Sequence, residues 1–88
     1  MKIKANFVLR KIAGVWAVLP LGKAALDFNG LLTLNESGVQ LWNLMKQGCQ
    51  REDLVEALLA EYDVSRPVAE ADVDEFVEKL RSADCLEQ

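Results

Sequence analysis

Few side chains in this sequence can do chemistry. None of the 88 residues is histidine, which removes the commonest general base and the commonest metal ligand together. The two cysteines, Cys49 and Cys85, stand far apart with no second pair to complete a zinc set. They read as small hydrophobes in a reducing compartment, with a single disulfide as the alternative. Fourteen carboxylates are present, but their spacing matches no catalytic dyad and suits a solvated surface. There is no glycine-rich phosphate loop, no Gly-x-Ser-x-Gly and no Gly-Lys-Ser/Thr. No nucleophile can be paired with a base, so the expectation is a binding protein rather than an enzyme, with no cofactor and no metal.

Positioning a binding surface requires a folded scaffold, and the composition supports one. Hydrophobic side chains make up 51% of the chain and charged ones 27%, enough apolar area to offset the entropy of ordering. At this length the expectation is one domain over residues 1–88, with a radius of gyration of roughly 12 Å and little room for a deep cavity. Lys2, Lys4, Arg10 and Lys11 before the apolar stretch Ile12 to Leu21 imitate a secretory signal. Gly14 and Pro20 interrupt that stretch, and its alternation suits strands better. No run reaches the ~20 apolar residues of a membrane helix, so a cytoplasmic location is expected.

Two hydrophobic periods divide the chain. Phe7 to Ile12 and Val15 to Leu19 are rich in β-branched and aromatic residues and flank Ala13-Gly14, which suits a tight hairpin. Pro20 and Gly22 end the second strand. A third strand is expected at Leu31 to Leu34, entered through the turn signal Asn29-Gly30. Beyond Leu34 the period becomes helical. Asn35 caps a helix over about 36–47, which Gly48 closes. Leu54, Val55, Leu58, Leu59 and Tyr62 mark a second helix ending near Asp63. Pro67 interrupts the connection, and Ala69, Val73, Phe76, Val77 and Leu80 mark a third.

The result is an α+β fold resembling a winged helix: a three-stranded antiparallel N-terminal sheet followed by a three-helix bundle, β-β-β-α-α-α. Such folds often bind DNA, but the charge distribution opposes that. Residues 1–34 hold five basic groups and one acid, whereas residues 35–88 hold five basic groups and thirteen acids. Residues 69–83 carry five acids against Lys79 and Arg81, and a phosphate backbone would repel that helix.

The ordered set Phe7-Val8-Leu9-Arg10, Ala13-Gly14, Pro20-Leu21-Gly22, Asp27-Phe28-Asn29-Gly30, Leu34-Asn35-Glu36-Ser37-Gly38, Leu41-Trp42, Tyr62-Asp63-Val64 and Asp72-Val73 with Phe76 and Leu80 resembles the coenzyme PQQ synthesis protein D family. The resemblance spans nearly the whole chain. It implies a non-catalytic module that recognises the leader of a ribosomally made precursor peptide. The leader would add as a strand to the sheet edge beside the third helix, and the module would present it to a modifying enzyme, often a radical SAM enzyme. Two places depart from the family pattern. Cys49-Gln50 replaces the usual Ser or Thr cap of the second helix, so a weaker cap is expected there. Asp84 stands where Gly usually ends the last helix and accepts a left-handed conformation less readily.

The residues read the same way from below. A free strand edge beside an amphipathic helix is what strand addition needs. The peptide-binding residues expected are Gly30, Leu31, Leu32, Thr33 and Leu34 on the strand, and Asp72, Val73, Glu75, Phe76, Lys79 and Leu80 on the helix. Leu32 and Leu34 share one face and are expected inside, with Leu31 and Thr33 on the other. The competing reading is a winged-helix module that docks a protein partner or forms a homodimer through its free edge.

Overall fold

The computed structural model describes residues 1–27 and 32–87. Its strands are β1 (Phe7–Ile12), β2 (Val15–Pro20) and β3 (Leu32–Leu34); its helices are α1 (Ala24–Asp27), α2 (Glu36–Gln47), α3 (Arg51–Glu61) and α4 (Arg66–Ser82). The expected α+β order is present, with one addition: the four-residue α1 precedes β3. The Asn29-Gly30 turn and the strand residue Leu31 lie outside the described residues.

The sheet is antiparallel in the order β1-β2-β3. Ile12 opposes Val15, and between them Ala13 (φ 50°) and Gly14 (φ 80°) supply the two positive φ values that a type I′ hairpin requires. β2 pairs with β3 through Trp16↔Leu34, Ala17↔Thr33 and Val18↔Leu32. Because side chains alternate, Phe7, Val18, Leu32 and Leu34 share the face turned to the helices, and all four are buried. Leu32 and Leu34 therefore point inward, as their spacing indicates. Trp16 packs against the core while Lys11 lies over its ring, 5.7 Å from the centroid.

Helix starts follow from local chemistry. The Asn35 side chain accepts hydrogen bonds from the Gly38 amide and the Ser37 hydroxyl, both at 2.9 Å. At α3 the weaker cap expected at Gln50 is offset from inside the helix, because the Asp53 carboxylate accepts the Gln50 amide at 2.8 Å. Pro67 does not interrupt a connection: it lies in the first turn of α4, where its missing N–H costs nothing. α3 stops at Glu61 with Tyr62 as its C-cap, slightly before the expected Asp63.

Trp42, Met45, Leu54, Val55, Val73 and Leu80 form the centre of the core. Residues 1–4 close its floor. Ile3 bridges Leu86, its amide donates to Met45 O (2.9 Å), and the Lys4 amide donates to Cys85 O (2.8 Å). Asp84 does adopt the left-handed conformation (φ 59°), and its carboxylate meets Lys4 Nζ at 2.9 Å. Arg51 and Arg66 stitch α3 to α4: Arg51 pairs with Asp74 at 2.7 Å, and Arg66 meets Glu52 and Glu56 at 2.9 and 2.7 Å. Such exposed pairs are screened by solvent and each contributes little. Together they tie α4 to α3. Both cysteines are free thiols. Among the described residues no helix is long and apolar enough to cross a membrane.

Candidate functional site

β3 is an edge strand, and α4 runs beside its open side. Lys79, on α4, donates from Nζ to the Thr33 carbonyl at 3.3 Å. That carbonyl is therefore turned away from β2. In an antiparallel ladder the N–H and C=O of one residue point the same way, and neighbouring residues alternate. Thr33 thus offers its amide and carbonyl to the open side, while Leu32 and Leu34 direct theirs toward β2.

Between this edge, the first turn of α2 and α4 lies an open groove of about 240 Å³. Leu34, Asn35, Ser37 and Gly38 form one wall, Asp72, Glu75, Phe76 and Lys79 the other, and Leu41 and Leu58 the floor. A side bay of about 160 Å³ adjoins it, lined by Ser37, Leu58, Tyr62, Val64 and Asp72. Tyr62 and Val64 are more than a third exposed there, an apolar surface at the end of the groove away from Thr33. Gly38 lets the walls meet, since a Cβ on it would stand 3.3 Å from Cε1 of Phe76.

The charges on α4 are sorted by face. Glu70 and Asp74 are engaged by Arg51 and Arg66, and Glu78 by Arg81. Arg51 also holds the Asp74 carboxyl below its ordinary pKa, chiefly by hydrogen bonding to it. Asp72 and Glu75, the two acids that line the groove, share no ion pair among the described residues. The site therefore combines an unpaired strand edge, an apolar floor and an acidic rim. No group of three or more metal-binding side chains occurs among the described residues.

The sequence-derived residues fall into three sets. Thr33, Leu34, Asp72, Glu75, Phe76 and Lys79 come together around the groove. Leu32, Val73 and Leu80 are buried in the core, the last two with 0% exposure. The packing that makes α4 amphipathic turns Val73 and Leu80 into the core in the peptide-free chain. Gly30 and Leu31 lie outside the described residues.

The family described as Coenzyme PQQ synthesis protein D (PqqD) matches residues 16–86. The chain belongs to the PqqD family. One solved structure similar to this PqqD-family chain is TbiB1 in complex with the TbiA(beta) leader peptide. It is 31% identical, the match covers 99% of this chain and 95% of that one, and the TM-score is 0.77. Another is lasso peptide synthetase B1 complexed with the leader peptide, 20% identical, with coverage of 92% and 89% and a TM-score of 0.71; it shares the fold. No curated protein matches the chain.

Reading from the sequence missed several groove residues of this PqqD-family member. The sequence marks Asn35 as a helix cap, which it is, and Ser37 and Gly38 only within the family-like segment, but the same turn forms a wall of the groove. Leu41 and Leu58 look like ordinary core positions and are buried, yet both reach its floor. Tyr62 and Val64 carried a usable signal: an aromatic and a β-branched residue just past a helix end, with no buried face left to fill.

Proposed function

We propose that this protein binds the leader of a ribosomally synthesised precursor peptide by strand addition at β3 and presents it to a modifying enzyme, without chemistry of its own. The observation that carries this reading is the Thr33 edge, whose carbonyl meets Lys79 on α4 instead of another strand, next to a groove with an apolar floor and an acidic rim. Main-chain hydrogen bonds to that edge supply affinity, and the groove supplies specificity. The family match and the leader-bound TbiB1 structure support it. Antiparallel addition extends the existing pattern. The peptide would then pass Tyr62, Val64 and Asp72 before reaching Thr33 and Lys79, because α4 runs from Asp72 to Lys79 while the opposite wall runs from Gly38 back to Thr33. Asp72 and Glu75 suit a basic peptide residue, and the Tyr62–Val64 bay suits an apolar one.

The enzyme that receives the peptide, whether a radical SAM protein or another modifying enzyme, would act on the segment beyond the bound leader. A cytoplasmic location fits two free thiols and a ribosomal product as substrate. Affinity capture of tagged protein from its own cell lysate, with mass spectrometry that retains short peptides, tests the proposal. The expected result is a precursor peptide together with its modifying enzyme, the peptide being lost with Thr33→Pro, which removes the outward amide. Recovery of a large partner or of a second copy alone would instead favour a docking or self-association module.

A further inference from the structure

Lys79 does not take the partner that helix geometry offers it. Glu75 stands four residues earlier on the same face, the favourable order for a Glu–Lys pair. Lys79 nevertheless forms no ion pair among the described residues, and its ammonium reaches across to the Thr33 carbonyl, 46 positions away. The contact is exposed and ties no buried group. It sits where β3 would pair with a strand from another chain. An unprotected strand edge invites such pairing, and a charged lysine across it is a recurrent protection.

We propose that Lys79 is a gate on the β3 edge. In the peptide-free chain it holds the Thr33 carbonyl and keeps a second copy from adding its own strand. An incoming peptide strand displaces it, and the ammonium passes to the Glu75 carboxylate. Two partners for one ammonium make the gate reversible: Thr33 O when the edge is empty, Glu75 when it is filled. The displacement half rests on the strand-addition reading above; the protection half concerns the free chain and does not.

Lys79→Met tests both halves, since it keeps the length and apolar stem but removes the donor. In sedimentation equilibrium the parent is expected to remain monomeric and K79M to dimerise as concentration rises, with the double variant K79M/T33P returning to monomer. In 13C-labelled protein the Thr33 carbonyl resonance shifts in K79M, while that of Ala17, its cross-strand partner, stays in place. With the captured precursor's leader as probe, K79M binds about fivefold tighter, corresponding to one net hydrogen bond no longer broken on binding. Identical sedimentation of parent and K79M, or an unmoved Thr33 carbonyl, would overturn the gate. If no precursor is ever captured, strand addition fails, while sedimentation and the carbonyl shift still decide whether Lys79 protects the edge.

Discussion

Gly38 on α2 and Phe76 on α4 approach so closely that a methyl group on Gly38 would lie 3.3 Å from the Phe76 ring, with Leu34 Cβ at 3.2 Å and Asn35 Oδ1 at 3.3 Å. The absence of a side chain at Gly38 thus sets the width of the groove. Gly38→Ala brings two opposing effects: a gain of about 1 kcal/mol in helix propensity and a crowding cost of similar size as Phe76 gives way. The expected outcome is a net stability change under about 1 kcal/mol by urea unfolding, with weaker peptide binding by calorimetry as the ring moves into the groove. Unchanged affinity would mean that Phe76 does not shape the peptide site.

A second prediction concerns the hairpin. Ala13 holds φ 50°, a region that costs a residue with a Cβ roughly 1 kcal/mol or more. Asn at the first central position of a type I′ turn tolerates this conformation better. Ala13→Asn is expected to raise stability by about 1 kcal/mol in urea unfolding. Peptide affinity should stay the same, because neither Ala13 nor Gly14 lines the groove.

Thiol chemistry separates the two cysteines. Burial pushes the Cys85 thiol up to about 11, with the Asp84 carboxylate adding to the rise and Lys4 opposing it. Cys49 is also raised by burial, but it remains partly exposed. An alkylating reagent at mildly alkaline pH should label Cys49 first, and Cys85 mainly on unfolding. Stability carries the same signature. Between the unfolded thiol's value near 9.0 and the folded value of about 11, the folded state keeps a proton that the unfolded state has lost. Stability therefore falls as pH rises through that window. Below it the contribution is fully present, and Cys85→Ala should flatten that part of the pH–stability curve.

The acidic rim can be tested directly. Asp72 and Glu75 line the groove and share no ion pair among the described residues, whereas Glu70, Asp74 and Glu78 are engaged by arginines. Asp72→Asn and Glu75→Gln should each weaken leader binding by up to about 1 kcal/mol, roughly fivefold, and both losses should shrink at high ionic strength. Neutralising Asp74 should leave affinity unchanged and instead loosen the α3–α4 contact.

Much of this architecture was legible in the residues, because local rules decide it. The alternation of Leu32 and Leu34, the Asn35 cap and the Ala13-Gly14 hairpin all follow from side-chain period and turn chemistry, and all are present. Helical period also separated α4 into two faces. It could not say which of Val73, Phe76 and Leu80 reaches the surface, since that depends on how far α4 stands from β3 and α2. That distance depends on long-range packing, as do the Arg51 and Arg66 bridges between α3 and α4, and no periodicity announces either. The Lys79–Thr33 contact was hidden for the same reason: it joins residues 46 positions apart. Asp84 shows a departure that the fold absorbs, its left-handed backbone being held beside Lys4.

The central claim is that a peptide adds to the β3 edge at Thr33. Residue-resolved hydrogen exchange, with and without the captured precursor's leader, tests it most directly. Strand addition predicts that the Thr33 amide, open in the free chain, becomes strongly protected, while the outer edge of β1 from Phe7 to Ile12 is unaffected. Protection confined to β1, or an unchanged Thr33 amide under saturating peptide, would contradict it.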